Sequence, residues 1–281
     1  MADQRPPGDE WRPKLVVCDI DGTLLRWTAD PADADEQVTA RVRAALDAVR
    51  AAGVPIVLAS GRAAYSMATI ADDAGLTEQL DEPLWMVASN GAVVFRHPPV
   101  EVVHETTFDA RDAVAEVLQE LPEALVAVEE HGVGYRVNKP FPPGELSGEQ
   151  IVTTVDQMVA DEVSRVIIRD PRSTPEVFVE LADRLGLHGT NYFIGWTAWL
   201  DLAPLGVDKS TALAYVCEQL QVDPADVLAL GDGRNDLEML RWAGRGVAMG
   251  QAVDLVHQAA DTSTASVDDD GAAQELELWF G

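Results

Sequence analysis

The sequence predicts an α/β fold, a parallel-sheet core into which an α+β domain is inserted. Three observations predict it. Short apolar runs such as Leu15-Val16-Val17-Cys18 and Val227-Leu228-Ala229-Leu230 lack polar alternation, as strands buried on both faces do. Helical patterns alternate with such runs near both ends of the chain, which requires right-handed crossovers and a parallel sheet. Between them the rhythm changes to paired strands, the mark of a separate antiparallel sheet.

Residues 1–13 are polar and proline-rich and read as a disordered leader. After the first strand, Val38, Val42, Ala45, Leu46 and Val49 recur at helical spacing, and Gly53 closes that helix. Pro55 to Ala59 is a second strand ending at Ser60-Gly61, a helix pattern runs from about Arg62 to Ala74, and Leu84 to Ala88 is a third strand. The insertion is expected over residues 92–199, beginning with a hairpin of Ala92 to Phe95 and Val100 to His104 around His97-Pro98-Pro99. It continues with a helix near Asp112 to Glu120, strands at Leu125 to Val128, Gly134 to Val137 and Val163 to Ile168, and a helix near Glu176 to Leu185. Strands at Tyr192 to Ile194 and Trp199 to Leu202 complete it. Residues 14–91 and 200–281 then form the core. Its second part holds a helix from Asp208 to Leu220, the strand at Val227, a helix near Asp236 to Trp242, a strand from Gly246 to Met249 and a helix after Gln251.

At 281 residues, 47% of them apolar and 6% aromatic, the chain has the composition of an ordinary globular protein with one large domain or two unequal ones. Acidic residues outnumber basic ones 48 to 20, for a formal charge of -28. That field repels nucleic acid and anionic lipid. Cys18 and Cys217 are too few for a zinc site or a disulfide framework and read as reduced core thiols. With no apolar signal core and no run near the ~20 apolar residues of a membrane span, a cytoplasmic protein is expected. The sequence carries no signal of oligomeric state.

Chemistry concentrates where strands end. Asp19-Ile20-Asp21-Gly22-Thr23 directly follows the first strand. Ligands of open α/β sheets bind outside the carboxyl ends of the strands, and two like charges there repel unless a cation lies between them. Gly22 allows a sharp turn and Thr23 can hydrogen-bond a phosphate oxygen; a solvated Asp-Gly turn is the plainer alternative. Ser60-Gly61-Arg62 precedes a helix, where a hydroxyl and free amides suit an anion, although a simple serine N-cap has the same appearance. Gly231-Asp232-Gly233-Arg234-Asn235-Asp236 brings further carboxylates to the same edge, suited to a hard cation. Lys209 opens a helix in an acidic stretch, and is otherwise read as a surface lysine.

Taken in chain order, with Lys209 third and Gly231 to Asp236 fourth, the four segments resemble the motifs of the haloacid dehalogenase superfamily, whose core sheet is Rossmann-like. The closer similarity is to its Cof-type hydrolases, with a subclass IIB cap between the second and third motifs. Ser89-Asn90-Gly91 and Gly246-Val247-Ala248-Met249-Gly250-Gln251-Ala252 also resemble that group, with Gln251 where Asn is usual and Ser210 where Gly is frequent. Ala260-Asp261 and Asp269-Asp270-Gly271 before a final helix fit its tail.

The resemblance implies a Mg²⁺-dependent phosphatase of small phosphorylated metabolites, sugar phosphates first among them. Asp19 is then the nucleophile that forms an aspartyl-phosphate, and Asp21 the acid and base, an assignment that separates phosphatases and mutases from ion pumps and dehalogenases. Asp19, Asp232, the main-chain carbonyl of Asp21 and, through water or Lys209, Asp236 hold the metal. Thr23, Ser60, Gly61, Lys209 and Asn235 hold the phosphoryl group. Asn90 is expected at the substrate, together with cap residues drawn from Glu129, His131, Arg136, Lys139 and Asn191. A phosphomutase of the phosphomannomutase type and a non-catalytic ligand-binding protein on the same fold are the rival readings.

Overall fold

The computed structural model describes residues 11–26, 37–78, 80, 82–174 and 199–281, and the backbone alone over 190–194. Along the chain run β1 (Leu15–Cys18), α1 (Ala40–Ala51), β2 (Ile56–Ala59), α2 (Ala64–Asp73), β3 (Leu84–Ala88), β4 (Val93–His97), β5 (Glu101–Glu105) and α3 (Arg111–Glu120). Then come β6 (Leu125–Glu130), β7 (Gly134–Val137), β8 (Glu149–Val152), α4 (Val155–Met158), β9 (Val166–Arg169), β10 (Thr190–Ile194) and β11 (Trp199–Pro204). The last elements are α5 (Lys209–Leu220), β12 (Val227–Gly231), α6 (Leu237–Trp242), β13 (Arg245–Ala248), α7 (Asp254–Ala259), β14 (Thr262–Ser263) and α8 (Gly271–Phe280).

Among the described residues these strands form two sheets. The first has the order β14-β13-β12-β1-β2-β3-β4-β5. It is parallel from β14 to β3, with β1 between β12 and β2 in the register Val16↔Leu228 and Val16↔Ile56. Every residue of β1, β2 and β12 is buried, which is why these strands read as unbroken apolar runs. Val42, Ala45, Leu46 and Val49 of α1 and Ala272, Ala273 and Leu276 of α8 join the apolar cluster that contains Val16 and Leu58. Leu213, Val216 and Cys217 of α5 pack in the cluster of Leu15, Val17 and Val227. Both cysteines are free and buried, as expected.

The hairpin of β4 and β5 belongs to this sheet and not to the insertion. Ser89-Asn90-Gly91 folds the chain straight back, so β4 pairs antiparallel with β3 from Ala88↔Val93 to Leu84↔His97. A turn this short makes an antiparallel neighbour, and the buried Val93, Val94 and Phe95 continue the core. The expected break at residue 91 therefore falls after β5.

The second sheet has the order β10-β11-β9-β6-β7-β8 and is antiparallel except where β8 runs parallel to β7. Trp199 to Pro204 is thus part of it, and the return to the core lies after Pro204 and not at residue 200. Val126, Val128, Val166, Ile168, Leu200 and Leu202 bury one face against Val114 and Val117 of α3 and Met158 of α4. Ala127, Tyr135, Val137 and Ile167 lie on the other face and pack with Phe141, Leu146 and Ala63, the residue before α2. The insertion therefore docks on the first sheet's loops.

Two smaller differences from the expected elements have local causes. β8 and α4 carry no sequence signal: Glu149, Gln150, Ile151 and Val152 form an edge strand with little burial and no alternating pattern, and α4 is a four-residue turn that buries Met158 alone. Residues 1–10 of the expected leader, and the helix near Glu176 to Leu185, lie outside the described residues. Trp11 is not loose, however. Its Nε1 donates to the Ala225 carbonyl at 2.9 Å and its ring meets Trp279 edge-on at 5.0 Å. No helix among the described residues is long and apolar enough to cross a membrane.

Candidate active site

Because β1, β2, β3 and β12 are parallel neighbours, their carboxyl ends deliver Asp19, Ser60, Ser89 and Asp232 to one edge. Lys209 arrives from the opposite kind of element, the first turn of α5. Asp208 caps that helix, its carboxylate accepting from the Ser210 and Thr211 amides at 2.8 and 3.1 Å. Gly91, at φ +103, lets the Asn90 turn press against this helix start; a Cβ there would lie 2.1 Å from the Asp208 carbonyl oxygen.

The Lys209 side chain is fully excluded from solvent. Its Nζ donates to Asp19 Oδ1 at 2.6 Å and to Asp236 Oδ1 at 2.7 Å. Asp236 Oδ2 accepts from the Asp232 and Gly233 amides at 3.0 and 2.8 Å, so this carboxylate is engaged on both sides. Burial disfavours the ammonium, but Asp19 and Asp236 outweigh it and raise its pKa, so Lys209 stays charged.

Carboxylate oxygens of Asp19, Asp232 and Asp236 lie within 4.8 Å of one another. Burial, then the charge of Asp236, raise the Asp19 pKa well above the ordinary carboxylate value in spite of Lys209. The same two causes push Asp232 up to about 6. One ammonium does not neutralise this crowd, and a divalent ion would. The donors are all hard oxygens, as Mg²⁺ prefers, so the residues fit that metal. Gly22 is what lets the first loop come this close: its φ is +81, and a Cβ on it would meet Asp232 Oδ2 at 2.1 Å.

The residues expected to hold phosphate have contacts of their own. The Thr23 hydroxyl, in the loop that follows β1, is buried with no hydrogen-bond partner among the described residues. Ser60 Oγ accepts from the Arg62 amide at 3.1 Å, which closes a turn in the loop but does not cap α2, whose N-cap residue is Ala63. Gly61 lies against Asn90, where a Cβ would come 3.0 Å from Oδ1. Asn235 Nδ2 donates to that Oδ1 at 3.0 Å, which brings Asn90 and Asn235 together.

Asp21 stands apart from the triad: its two oxygens accept from Arg62. Arg62 was noted in the sequence without a role, as was Gln251, whose Nε2 donates to the Gly22 carbonyl at 2.5 Å and to Asp232 Oδ2 at 3.1 Å. Gln251 thereby ties the first loop to the third, which its place in a Gly-Gln-Ala segment signalled only through resemblance.

The cap residues fare differently. Arg136 sits opposite Val128, on the face that packs on α3, and pairs with Glu130; it is turned away from the docked face of Tyr135 and Val137. Strand alternation puts it there, and the expected substrate contact is not made from that face. Lys139 pairs with the exposed Glu123. Glu129 and His131 are engaged between the two sheets. Asn191 lies on β10 opposite Ala203, and its side chain is outside the described residues.

Residues 16–276 match the family model described as haloacid dehalogenase-like hydrolase. The chain is 31% identical over 262 residues to a phosphoglycolate phosphatase of Natronomonas pharaonis, covering 93% of this chain and 96% of that one. Among solved structures it is similar to a haloacid dehalogenase-like hydrolase from Bacteroides thetaiotaomicron, with a TM-score of 0.78, 24% identity and 96% and 99% of the two chains covered. It also resembles the sugar phosphatase BT4131 of HAD subclass IIB, with a TM-score of 0.74, 23% identity and 94% and 98% covered. The chain belongs to the haloacid dehalogenase-like hydrolases as a Cof-type member, an enzyme of the phosphatase class.

Proposed function

We propose that the protein hydrolyses phosphate monoesters of small metabolites, sugar phosphates among them, through an aspartyl-phosphate on Asp19 and with Mg²⁺ as cofactor. The observation that carries this reading is the buried cluster of Lys209, Asp19 and Asp236, with Asp232 beside it and a buried, unpartnered Thr23 hydroxyl in the loop that carries Asp19.

Asp19 attacks phosphorus through a carboxylate oxygen; the phosphorus–oxygen bond to the leaving group breaks, and Asp21 gives that oxygen a proton. Asp21 then takes a proton from water, whose oxygen attacks the phosphorus and returns Asp19 as a carboxylate with release of inorganic phosphate. Lys209, Thr23, Ser60, the amide at Gly61 and Asn235, which is hydrogen-bonded to Asn90, hold the phosphoryl oxygens as charge moves. Asp19 and Asp232, with Asp236 and the Asp21 carbonyl, would hold Mg²⁺, which when bound offsets the negative charge of phosphate and acids together.

The second sheet, docked through Ala63, acts as the cap that excludes bulk water and reads the leaving group. The names of the similar proteins, a phosphoglycolate phosphatase and a sugar phosphatase, support phosphorylated small molecules as the class. A cytoplasmic setting agrees with two reduced, buried thiols.

The test is phosphate release from a panel of sugar phosphates, nucleotides and glycolytic intermediates with Mg²⁺ and no added bisphosphate. Turnover of several esters, lost in Asp19→Asn and in EDTA and restored by Mg²⁺, is the expected result. Turnover that appears only with a bisphosphate activator would replace the hydrolase with a mutase, and activity retained by Asp19→Asn would remove the nucleophile.

A further inference from the structure

Glu129 was expected among the side chains that touch substrate, yet its side chain is only 1% exposed. Oε1 accepts from the Ala64 amide at 3.0 Å and Oε2 from the Ser89 hydroxyl at 2.5 Å. Ala64 opens α2 one residue beyond Ser60-Gly61-Arg62, after Ala63, and α2 has no side-chain cap of its own. A carboxylate from β6, 65 residues further along the chain, supplies the missing cap at the positive end of that helix.

Ser89 begins the turn that presents Asn90. Both residues are left-handed, at φ 51 and 54, a conformation that non-glycine side chains hold only when their surroundings enforce it. The enforcing contacts are the Ser89 amide to the Arg62 carbonyl at 2.9 Å, the Asn90 amide to the Ser60 carbonyl at 3.1 Å, and Glu129 on the Ser89 hydroxyl. Asn90 in turn accepts from Asn235 in the fourth motif. His131 completes a bridge between the sheets: Nδ1 lies 3.3 Å from Glu129 Oε1 and Nε2 lies 2.7 Å from Glu105 Oε1 at the end of β5.

We propose that Glu129 is a positioning residue that makes docking of the second sheet and assembly of the active site a single event. When β6 is seated, α2 gains its cap and the Ser89-Asn90 turn is held against Asn235. When β6 lifts, both are released, so a phosphoryl group meets a complete site only under a seated cap. The kinetic part of this proposal rests on the phosphatase reading; the structural part does not.

The experiment is a double-mutant cycle in the full chain with Mg²⁺, comprising Glu129→Ala, Ser89→Ala and the pair. Readouts are kcat and KM for p-nitrophenyl phosphate, and amide hydrogen exchange. Each single change is expected to lower kcat about tenfold, the effect of one buried charged hydrogen bond, with little change in KM. The pair should lose no more than the worse single variant. Exchange should quicken at Ala64 and over residues 89–92 while β1 and β12 keep their protection. If Glu129→Ala does not fold, Glu129→Gln enters the cycle in its place, since it cannot accept at Ser89 while serving Ala64 as the carboxylate does. Additive losses, a rise in KM at constant kcat, or unchanged exchange at Ala64 would each overturn the proposal. A wild-type protein that releases phosphate from no ester would remove the phosphatase reading alone, and the exchange result would still decide the role of Glu129.

Discussion

Arg62 grips Asp21 through both carboxylate oxygens, with Nε 2.8 Å from Oδ2 and NH2 2.7 Å from Oδ1. A further bond of 3.1 Å from NH1 to Ser66 Oγ fastens the guanidinium to α2. The carboxylate proposed as acid and base is thus held by a planar fork that an ammonium does not reproduce. Arg62→Lys is expected to lower kcat by roughly 10- to 100-fold, the worth of a charge-assisted hydrogen bond, and to leave the melting temperature almost unchanged. Steady-state kinetics beside a thermal melt checks this, and wild-type turnover would contradict it.

Lys209 is the only positive charge hydrogen-bonded to Asp19 and Asp236 among the described residues. Replacing it with Met leaves buried acids without their partner, at a cost of about 3–5 kcal/mol. Thermal melts in EDTA should show a fall of roughly 10 °C, and excess Mg²⁺ should recover part of it. A variant as stable as the parent in EDTA would mean that the acids do not depend on that ammonium.

Gly22 combines a φ of +81 with the approach of Asp232. Gly22→Ala must push one of them away, and Mg²⁺ affinity is expected to fall at least about tenfold, as it does when the support of a ligand is disturbed. Isothermal titration reads it. Undiminished affinity would take Asp232 out of the metal's ligand set.

His131 gives a pH signature. Burial lowers its pKa, but Glu129 and Glu105 outweigh burial and raise it to about 9 from an ordinary 6.5. A base with a raised folded pKa stabilises fully below the unfolded value, and that contribution is lost as pH rises through the folded one. Urea unfolding should show wild type losing on the order of 1–2 kcal/mol from about pH 7 to about pH 10 beyond any loss in His131→Gln, with screening allowed for. Parallel pH curves for the two proteins would show that the His131 charge does not fasten the sheets.

Much of the core was legible because its signals are local. Asp19, Ser60 and Asp232 each follow an apolar run within a residue or two, and a parallel sheet gathers strand ends wherever they fall in sequence. Pairing between strands is not local. The signs of a hairpin at residues 92–104 were plain, but nothing in them says that β4 lies against β3. The face on which Arg136 lies is hidden in the sequence for a related reason. Alternation reveals that Tyr135 and Arg136 oppose each other, while only the docked face shows which of them looks toward the site. Glu129 reads as one more polar strand residue until Ala64 and Ser89 are found against it.

The pairing of Val16 with Leu228 carries a consequence for synthesis of the chain. A ribosome that has released β1 has more than two hundred residues still to make before β12 can close over it, so the contact order at the catalytic centre is high and folding there comes late. Lys209 itself lies 190 residues beyond Asp19, and Asp232 follows β12, so a nascent chain cannot begin phosphoryl chemistry early.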